Sequence, residues 1–189
     1  HPFYLRNSIE IASKLKKGDL AITRPLDTPI YEEVDKVLIA EKDIYNNSPK
    51  ETYLKHTLKT LKELKLLPLN LKDQRSMIIA RLLGHLFGDG TFILKKHVAR
   101  MIFRGNVGDL KEIRKDIESL GFKPEKIYIK TSNNKIETIK GKILHIMGTG
   151  NEFEIRNKPL AILFSSLGAP NGDKPTLKYT VPKWIMKSP

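Results

Sequence analysis

Apolar positions recur along this chain at two spacings, and the switch between them marks its elements. Residues 1–45 carry short, loosely alternating runs, Ile9-Glu10-Ile11 and Leu20-Ala21-Ile22-Thr23, separated by the turn signal Lys17-Gly18-Asp19 and interrupted by Pro25 and Pro29. Period-two alternation punctuated by turn residues predicts strands, with a further one over 34–39. Ser48-Pro49-Lys50-Glu51 is a capping box with proline at the first helical position. It opens a helix reaching about residue 66, with Leu54, Leu58, Leu61 and Leu64 on one stripe and lysines over the rest, ended by Pro68. A second helix begins near Leu71-Lys72-Asp73 and runs into Gly88-Asp89-Gly90. Strands over 91–94 and 98–104 flank a Lys95-Lys96-His97 turn. A third helix spans about 109–120, with Leu110, Ile113, Ile117 and Leu120 on one face and Gly121 as its stop. Residues 126–130 alternate strictly and predict a strand, Ser132-Asn133-Asn134 a turn, and 138–147 and 152–156 two more strands. Pro159 starts a fourth helix through Phe164, stopped by Gly168 and Pro170. The tail is extended, with one helical turn around Trp184.

From residue 72 the order is helix, strand, strand, helix, strand, strand, helix. That predicts an α+β arrangement with helices on one face of an antiparallel sheet. Four regions are expected: a β-rich segment over 1–45, a linking helix over 46–71, the α+β body over 72–170, and a connector over 171–189. No internal repeat or low-complexity run is visible.

Charge changes the picture more than size does. Lys and Arg number 34 against 21 Asp and Glu, a formal net charge of +13 on 189 residues. Such a surplus calls for a polyanionic partner or for a solvated surface. The chain has no cysteine, which excludes disulfides, thiolate metal sites and a cysteine nucleophile. No apolar run approaches the roughly 20 residues of a membrane span, and no signal peptide is visible, so no membrane partner and a cytoplasmic location are expected. The first residue is His1 rather than Met, which suggests a processed or trimmed piece of a longer protein.

Two places carry candidate chemistry. Ala80, Gly84 and Gly88 fall at i, i+4 and i+8 on one helix face, a row of small residues that lets another backbone approach closely. That face reads as tight packing within one core or as half of a helix pair. At its end Asp89 stands at a helix C-terminus, where the macrodipole disfavours an acid unless a cation offsets it. Two such tips side by side would bring two carboxylates to divalent metal, an arrangement suited to phosphodiester hydrolysis. The second place is the strands. Arg100, Ile102 and Arg104 share one face of 98–104, with Ala99, Met101 and Phe103 on the other. In 126–130, Lys126, Tyr128 and Lys130 oppose Ile127 and Ile129. With Lys95, Lys96 and His97 at the turn, these form either an ordinary solvated sheet face or a basic ribbon able to enter the DNA major groove. His85 reads as a packed or interface residue rather than a ligand, and His56 and His145 as surface or core filler. There is no Ser-His-Asp set, Walker loop or dinucleotide glycine pattern.

The segment Leu82-Leu83-Gly84-His85-Leu86-Phe87-Gly88-Asp89-Gly90 resembles the LAGLIDADG motif of homing endonucleases: Leu82, Gly84, Asp89 and Gly90 match, Leu86 is conservative, and Leu83, His85, Phe87 and Gly88 depart. The element order over 72–168 resembles one αββαββα repeat of that family. His1-Pro2-Phe3-Tyr4 with residues 12–20 resembles the part of an intein splicing (Hint-like) domain that begins at its block-B histidine. Residues 178–185, Lys178-Tyr179-Thr180-Val181-Pro182-Lys183-Trp184-Ile185, resemble the stretch before the second endonuclease motif. The resemblance implies an intein-borne, site-specific endonuclease acting on double-stranded DNA, of which this chain supplies the first half. It implies Asp89 and the Gly88 carbonyl as ligands of Mg²⁺ (or Mn²⁺), Lys178 or alternatively Lys174 as an active-site lysine, and His1 as the splicing histidine. Lys95, Lys96, His97, Arg100, Arg104, Lys126, Tyr128 and Lys130 would hold DNA. The Ala80/Gly84/Gly88 face would pair with a second repeat, in cis or in a homodimer. Two alternatives stay open: a DNA-binding protein of the same fold without cleavage, and a single-motif homodimeric endonuclease.

Overall fold

In the computed structural model of the chain, residues 2–4, 9–11, 14, 16, 37–48, 51–137 and 143–186 are described. The chain divides into two units, His1–Glu32 and Glu33–Pro189. In the first, β1 (Pro2–Tyr4) pairs antiparallel with β2 (Ile9–Ile11). The strand expected over 20–23 lies outside the described residues.

The second unit is built on a four-stranded antiparallel sheet, β5 (Thr91–Leu94), β6 (Ala99–Gly105), β7 (Tyr128–Glu137) and β8 (Ile143–Ile155), in the order β5-β6-β8-β7. Three helices pack on this sheet: α3 (Gln74–Phe87), α4 (Val107–Ser119) and α5 (Lys158–Ser166). The sequence alternation explains which face they cover. Phe92, Met101, Phe103, Phe153 and Ile155 are buried, and register partners Phe103 and Phe153 stack with ring centroids 5.2 Å apart. Against them come Ile79, Leu82, Leu83 and Leu86 of α3 and Leu110, Ile113 and Ile117 of α4. Each helix starts at a side chain that satisfies an orphan amide: Asp73 accepts from Arg75 N, Asn106 from Asp109 N and Asn157 from Leu160 N. α4 ends at Gly121, φ +88°, where a Cβ would lie 2.4 Å from Leu64 Cδ2, so glycine is required twice over.

Residues 37–47 depart from the expected plan. Residues 37–45, expected as the end of a β-rich segment, pair and pack with later parts of the second unit. β3 (Val37–Ile39) pairs with β4 (Leu69–Asn70), and α1 (Glu41–Asn47) packs with α2 (Glu51–Glu63) and α5. α2 is thus part of the body, not a linker: Thr57 and Leu61 are fully buried. α1 escaped notice because it is short with one buried apolar residue, Ile44, yet it has a local start signal, Asp43 accepting from Ala40 N at 2.8 Å.

β7 and β8 also differ from expectation. The turn read at Ser132-Asn133-Asn134 is mid-strand, and the runs 138–147 and 152–156 are not separate strands. Pairing is continuous from Tyr128↔Glu152 to Glu137↔Ile143. Ladder hydrogen bonds along the ribbon outweigh the local turn preference of Ser and Asn. The ribbon outruns the helices, so Ile129, expected to be buried, is 73% exposed, as is Met147. Beyond α5 the chain first meets β5, where Asn171 bonds both the amide and carbonyl of Leu94 and Gly172 N donates to Phe92 O, and later returns to the end of α5, where Trp184 Nε1 donates to Leu167 O. A short α6 (Lys183–Met186) closes the described residues. Mixed α/β order of this kind does not by itself show a Hint-like or a LAGLIDADG fold. Among the described residues no helix is long and apolar enough to cross a membrane.

Candidate nucleic-acid interface

The tip of α3 is the first charged site. Gly88 N donates to Gly84 O at 3.0 Å and Gly90 N to His85 O at 2.8 Å, turning the chain sharply off the helix. Gly90 is sterically required: a Cβ there would sit 2.9 Å from both His85 O and Leu86 Cα. Asp89 is exposed, its carboxylate unbonded among the described residues, while its carbonyl accepts from Arg104 Nη1 at 3.4 Å.

The cation that this helix end calls for is Lys174. Its ammonium reaches the carbonyls of Leu86 and Phe87 at 3.3 Å each, and it also donates to Gly88 O. The Gly88 carbonyl, an expected metal ligand, accepts from this lysine. Asp89 stands beside it, and among the described residues no group of three His, Cys, Asp or Glu could hold a metal ion. The donors this chain gathers at the tip do not fit a divalent ion by themselves. Lys174, the alternative lysine, is the one at the tip; Lys178 is exposed on the connector. His1 lies outside the described residues.

The small-residue face is open. Ala80 is half-buried, Gly84 and Gly88 are exposed, and a Cβ at Gly84 would meet nothing within 4 Å. Among the described residues, a Cβ at Gly88 would meet only backbone oxygens of its own helix, those of Gly84 and His85. His85 is half-buried.

The second charged site is the outer face of the sheet. Register places Arg100 and Arg104 of β6, Glu154 and Glu152 of β8, and Tyr128 and Lys130 of β7 on the same side, opposite the helices. Glu152 and Glu154 are 2% and 3% exposed. Burying a carboxylate is tolerated only with partners, and each has several. Glu152 accepts from Arg104 Nε at 2.9 Å and from Tyr128 OH at 2.7 Å, and pairs with Lys130 at 3.3 Å. Glu154 accepts from Arg100 Nε at 2.5 Å and pairs with Arg156 at 2.5 Å. Burial pushes the Glu152 carboxyl up, but the hydrogen bonds from Tyr128, Arg104 and Lys130 outweigh it and hold the group below its ordinary value. The same bond, helped by burial, raises the Tyr128 phenol. Four cations thus stand over two carboxylates, leaving the face positive and its side chains fixed.

The expectation of a basic face named Arg100, Arg104, Tyr128 and Lys130, and the structure brings these together. Lys126 precedes β7 and is exposed, as are Lys95, Lys96 and His97 at the β5–β6 turn. That turn is pinned by Lys158, whose ammonium reaches Lys95 O at 2.8 Å and lies 4.9 Å over the Tyr53 ring. Sequence reasoning missed Glu152, Glu154 and Arg156. Their signal was present: charges at the alternate positions 152, 154 and 156, the first two within β8 and the third just after it. Between the two sites lies an open cleft of about 720 Å³ lined by Asp89, Arg104, Lys130, Ser132, Asn151 and Glu152, among others.

No family model matches the chain, and no solved structure does. Curated relatives do. The chain is 38% identical over 191 residues to the DNA-directed RNA polymerase subunit Rpo1N of Methanocaldococcus jannaschii, spanning all of this chain and 14% of that protein. It is 32% identical over 191 residues to the tRNA-splicing ligase RtcB of Pyrococcus furiosus, again over its whole length and 19% of the ligase. It is 30% identical over 183 residues to the Replication factor C small subunit of M. jannaschii, 96% of this chain and 9% of that protein. The chain therefore spans less than one fifth of each of these relatives. These matches overturn the homing-endonuclease expectation, in its two-motif and its single-motif homodimeric form: the similar proteins are tRNA-splicing ligases, a polymerase subunit and a replication factor subunit, and none of them bears an endonuclease's name. What the comparisons establish is a similarity running over 96–100% of this chain to a minor part of each of three differently named archaeal proteins.

Proposed function

We propose that this chain belongs to an in-frame intervening segment of the intein type, carried within unrelated host proteins, and that its sheet face docks on the phosphate backbone of double-stranded DNA. One observation carries the first half. Between 96 and 100% of this chain aligns with 9–19% of proteins named as a polymerase subunit, a tRNA ligase and a replication factor subunit. Three such activities share no common step that one segment would serve, so the segment is a unit in its own right. The resemblance of His1–Tyr4 and residues 12–20 to a splicing-domain segment supports the same reading.

The second half rests on the sheet. A net charge of +13 favours a polyanion. Arg100, Arg104, Lys130 and Arg156 are held outward on one face by buried carboxylates. β7 and β8 pair continuously from Tyr128↔Glu152 to Glu137↔Ile143, and a two-stranded ribbon is a width the major groove admits.

Each half has its own test. Mass spectrometry of the mature host protein should find the host sequences on either side joined, without peptides from these 189 residues; a mature host that retains them overturns the insert reading. Duplex-DNA binding by the 189-residue chain should weaken steeply with salt, log K falling by about 0.9 per phosphate neutralised for each unit of log[salt]. Absence of duplex binding at low salt overturns the docking reading.

A further inference from the structure

Arg100 and Arg104 lie two residues apart on one strand and face, yet their guanidinium groups are engaged differently. Arg104 is bonded at both ends: Nε donates to Glu152, and Nη1 donates to Thr91 Oγ1 at 2.8 Å and to Asp89 O at 3.4 Å. Arg100 is gripped at Nε alone, by Glu154 Oε2 at 2.5 Å, and its two terminal nitrogens have no partner among the described residues. The gripping carboxylate is itself fixed, being 3% exposed and held on its other oxygen by Arg156. A guanidinium held this way has lost its rotamer freedom before anything binds, while its planar pair of N–H donors stays available to a ligand.

We infer that Arg100 is a specificity-determining residue of the proposed DNA face, reading guanine, and that buried Glu154 is the positioning residue that aims it. The inference rests on the docking reading and deepens it. A planar two-donor fork matches the O6 and N7 acceptors that guanine presents in the major groove, and no other base presents two acceptors there. A phosphate would be served equally by a mobile lysine, and would not need a buried carboxylate, costly to desolvate, to hold the side chain still. Arg104, with both ends engaged within the protein, stiffens the sheet beside the cleft instead. The two glutamates also remove charge from a face that already has a surplus. That lowers affinity for DNA of any sequence and so raises the share of binding decided by base contacts.

The test is selection of duplexes from a randomised pool by the 189-residue chain, followed by affinities for the selected duplex and for the same duplex with its preferred guanine replaced. Wild type should prefer guanine at one or more positions by about five- to 150-fold, the range of one bidentate contact. Arg100→Met keeps the apolar stem and removes every donor. It should lose the guanine preference; a preserved preference in a variant with wild-type circular dichroism overturns the assignment of Arg100. Glu154→Gln should bind unselected duplexes more tightly and discriminate less; unchanged discrimination in a variant with wild-type circular dichroism overturns the positioning role. Should Glu154→Gln not fold, Arg156→Gln, which frees one oxygen of Glu154, should reduce discrimination in part, and failure to do so overturns that role. Duplex RNA of the selected sequence should show no such preference, because side chains cannot read its deep, narrow major groove; equal preference there overturns the groove assignment. Wild type that binds duplex DNA without any base preference sinks this inference and leaves docking intact, whereas wild type that binds no duplex sinks the docking reading first.

Discussion

The tip of α3 and the outer face of the sheet are both charged, and both are completed by residues distant in sequence, but they are completed in opposite senses. At the tip the negative end is backbone, the carbonyls of Leu86, Phe87 and Gly88, and one half-buried lysine from 86 residues beyond Gly88 answers it. At the sheet the negative groups are two buried carboxylates, and the cations spread outward from them. The first arrangement tidies a helix end and leaves Asp89 unsupported. The second fixes side chains that face solvent. Charge near a surface becomes directional when the partner beneath it is buried, since that partner cannot turn to follow it.

Substitutions can break this contrast. The largest effect is expected at the tip itself. Gly90→Ala pushes a methyl against two backbone positions that cannot swing away, and should cost about 2–3 kcal/mol in urea unfolding; an unmoved midpoint would mean the turn is pliant. Gly84→Ala, four residues before Gly88 with nothing near its Cβ, should stabilise by about 1 kcal/mol through helix propensity. A loss there would show that the open face is covered. Lys174→Met should cost about 0.5–1 kcal/mol at low salt and less in high salt, as expected for a cation at an exposed helix end; a salt-independent loss would mean that packing, not charge, is what Lys174 supplies.

The subtlest effects are in pH. The folded Glu152 carboxyl lies below its ordinary value of 4.5, so its contribution is complete above that value and lost as pH falls through the lowered one. Tyr128 lies above its ordinary 10.0, so its contribution is complete below that value and lost as pH rises through the raised one. Glu152→Gln should flatten the acid limb of a melting-temperature profile. Tyr128→Phe should flatten the alkaline limb and change the acid limb less. Unaltered limbs would show that the bond between them contributes nothing to folding.

What the sequence revealed followed the strength of its periodicity. β5 falls where the alternation put it, at Thr91–Leu94, and α4 within two residues of 109–120, because their apolar positions meet one core and their ends carry Asn106 and Gly121. The β7–β8 ribbon was misread because register between strands, which local spacing does not encode, set its length. Arg100 and Arg104 were legible as a pair on one face. Their difference was not, since it depends on Glu152, Glu154 and Thr91, which only strand pairing brings alongside. The open face of α3 was visible as a row of small residues, but whether it was covered could only come from packing.

α5 imposes a schedule on synthesis. Pro159 through Phe164 are all buried, and α1 and α2 both lean on this helix. α2 ends at Glu63 and α5 begins at Lys158, so at a ribosome's roughly 5–20 residues per second the earlier helices wait on the order of 5–20 s for their partner. Through that interval the leucine stripe of α2 stands uncovered, with Lys55, Lys59 and Lys62 beside it to keep nascent chains apart.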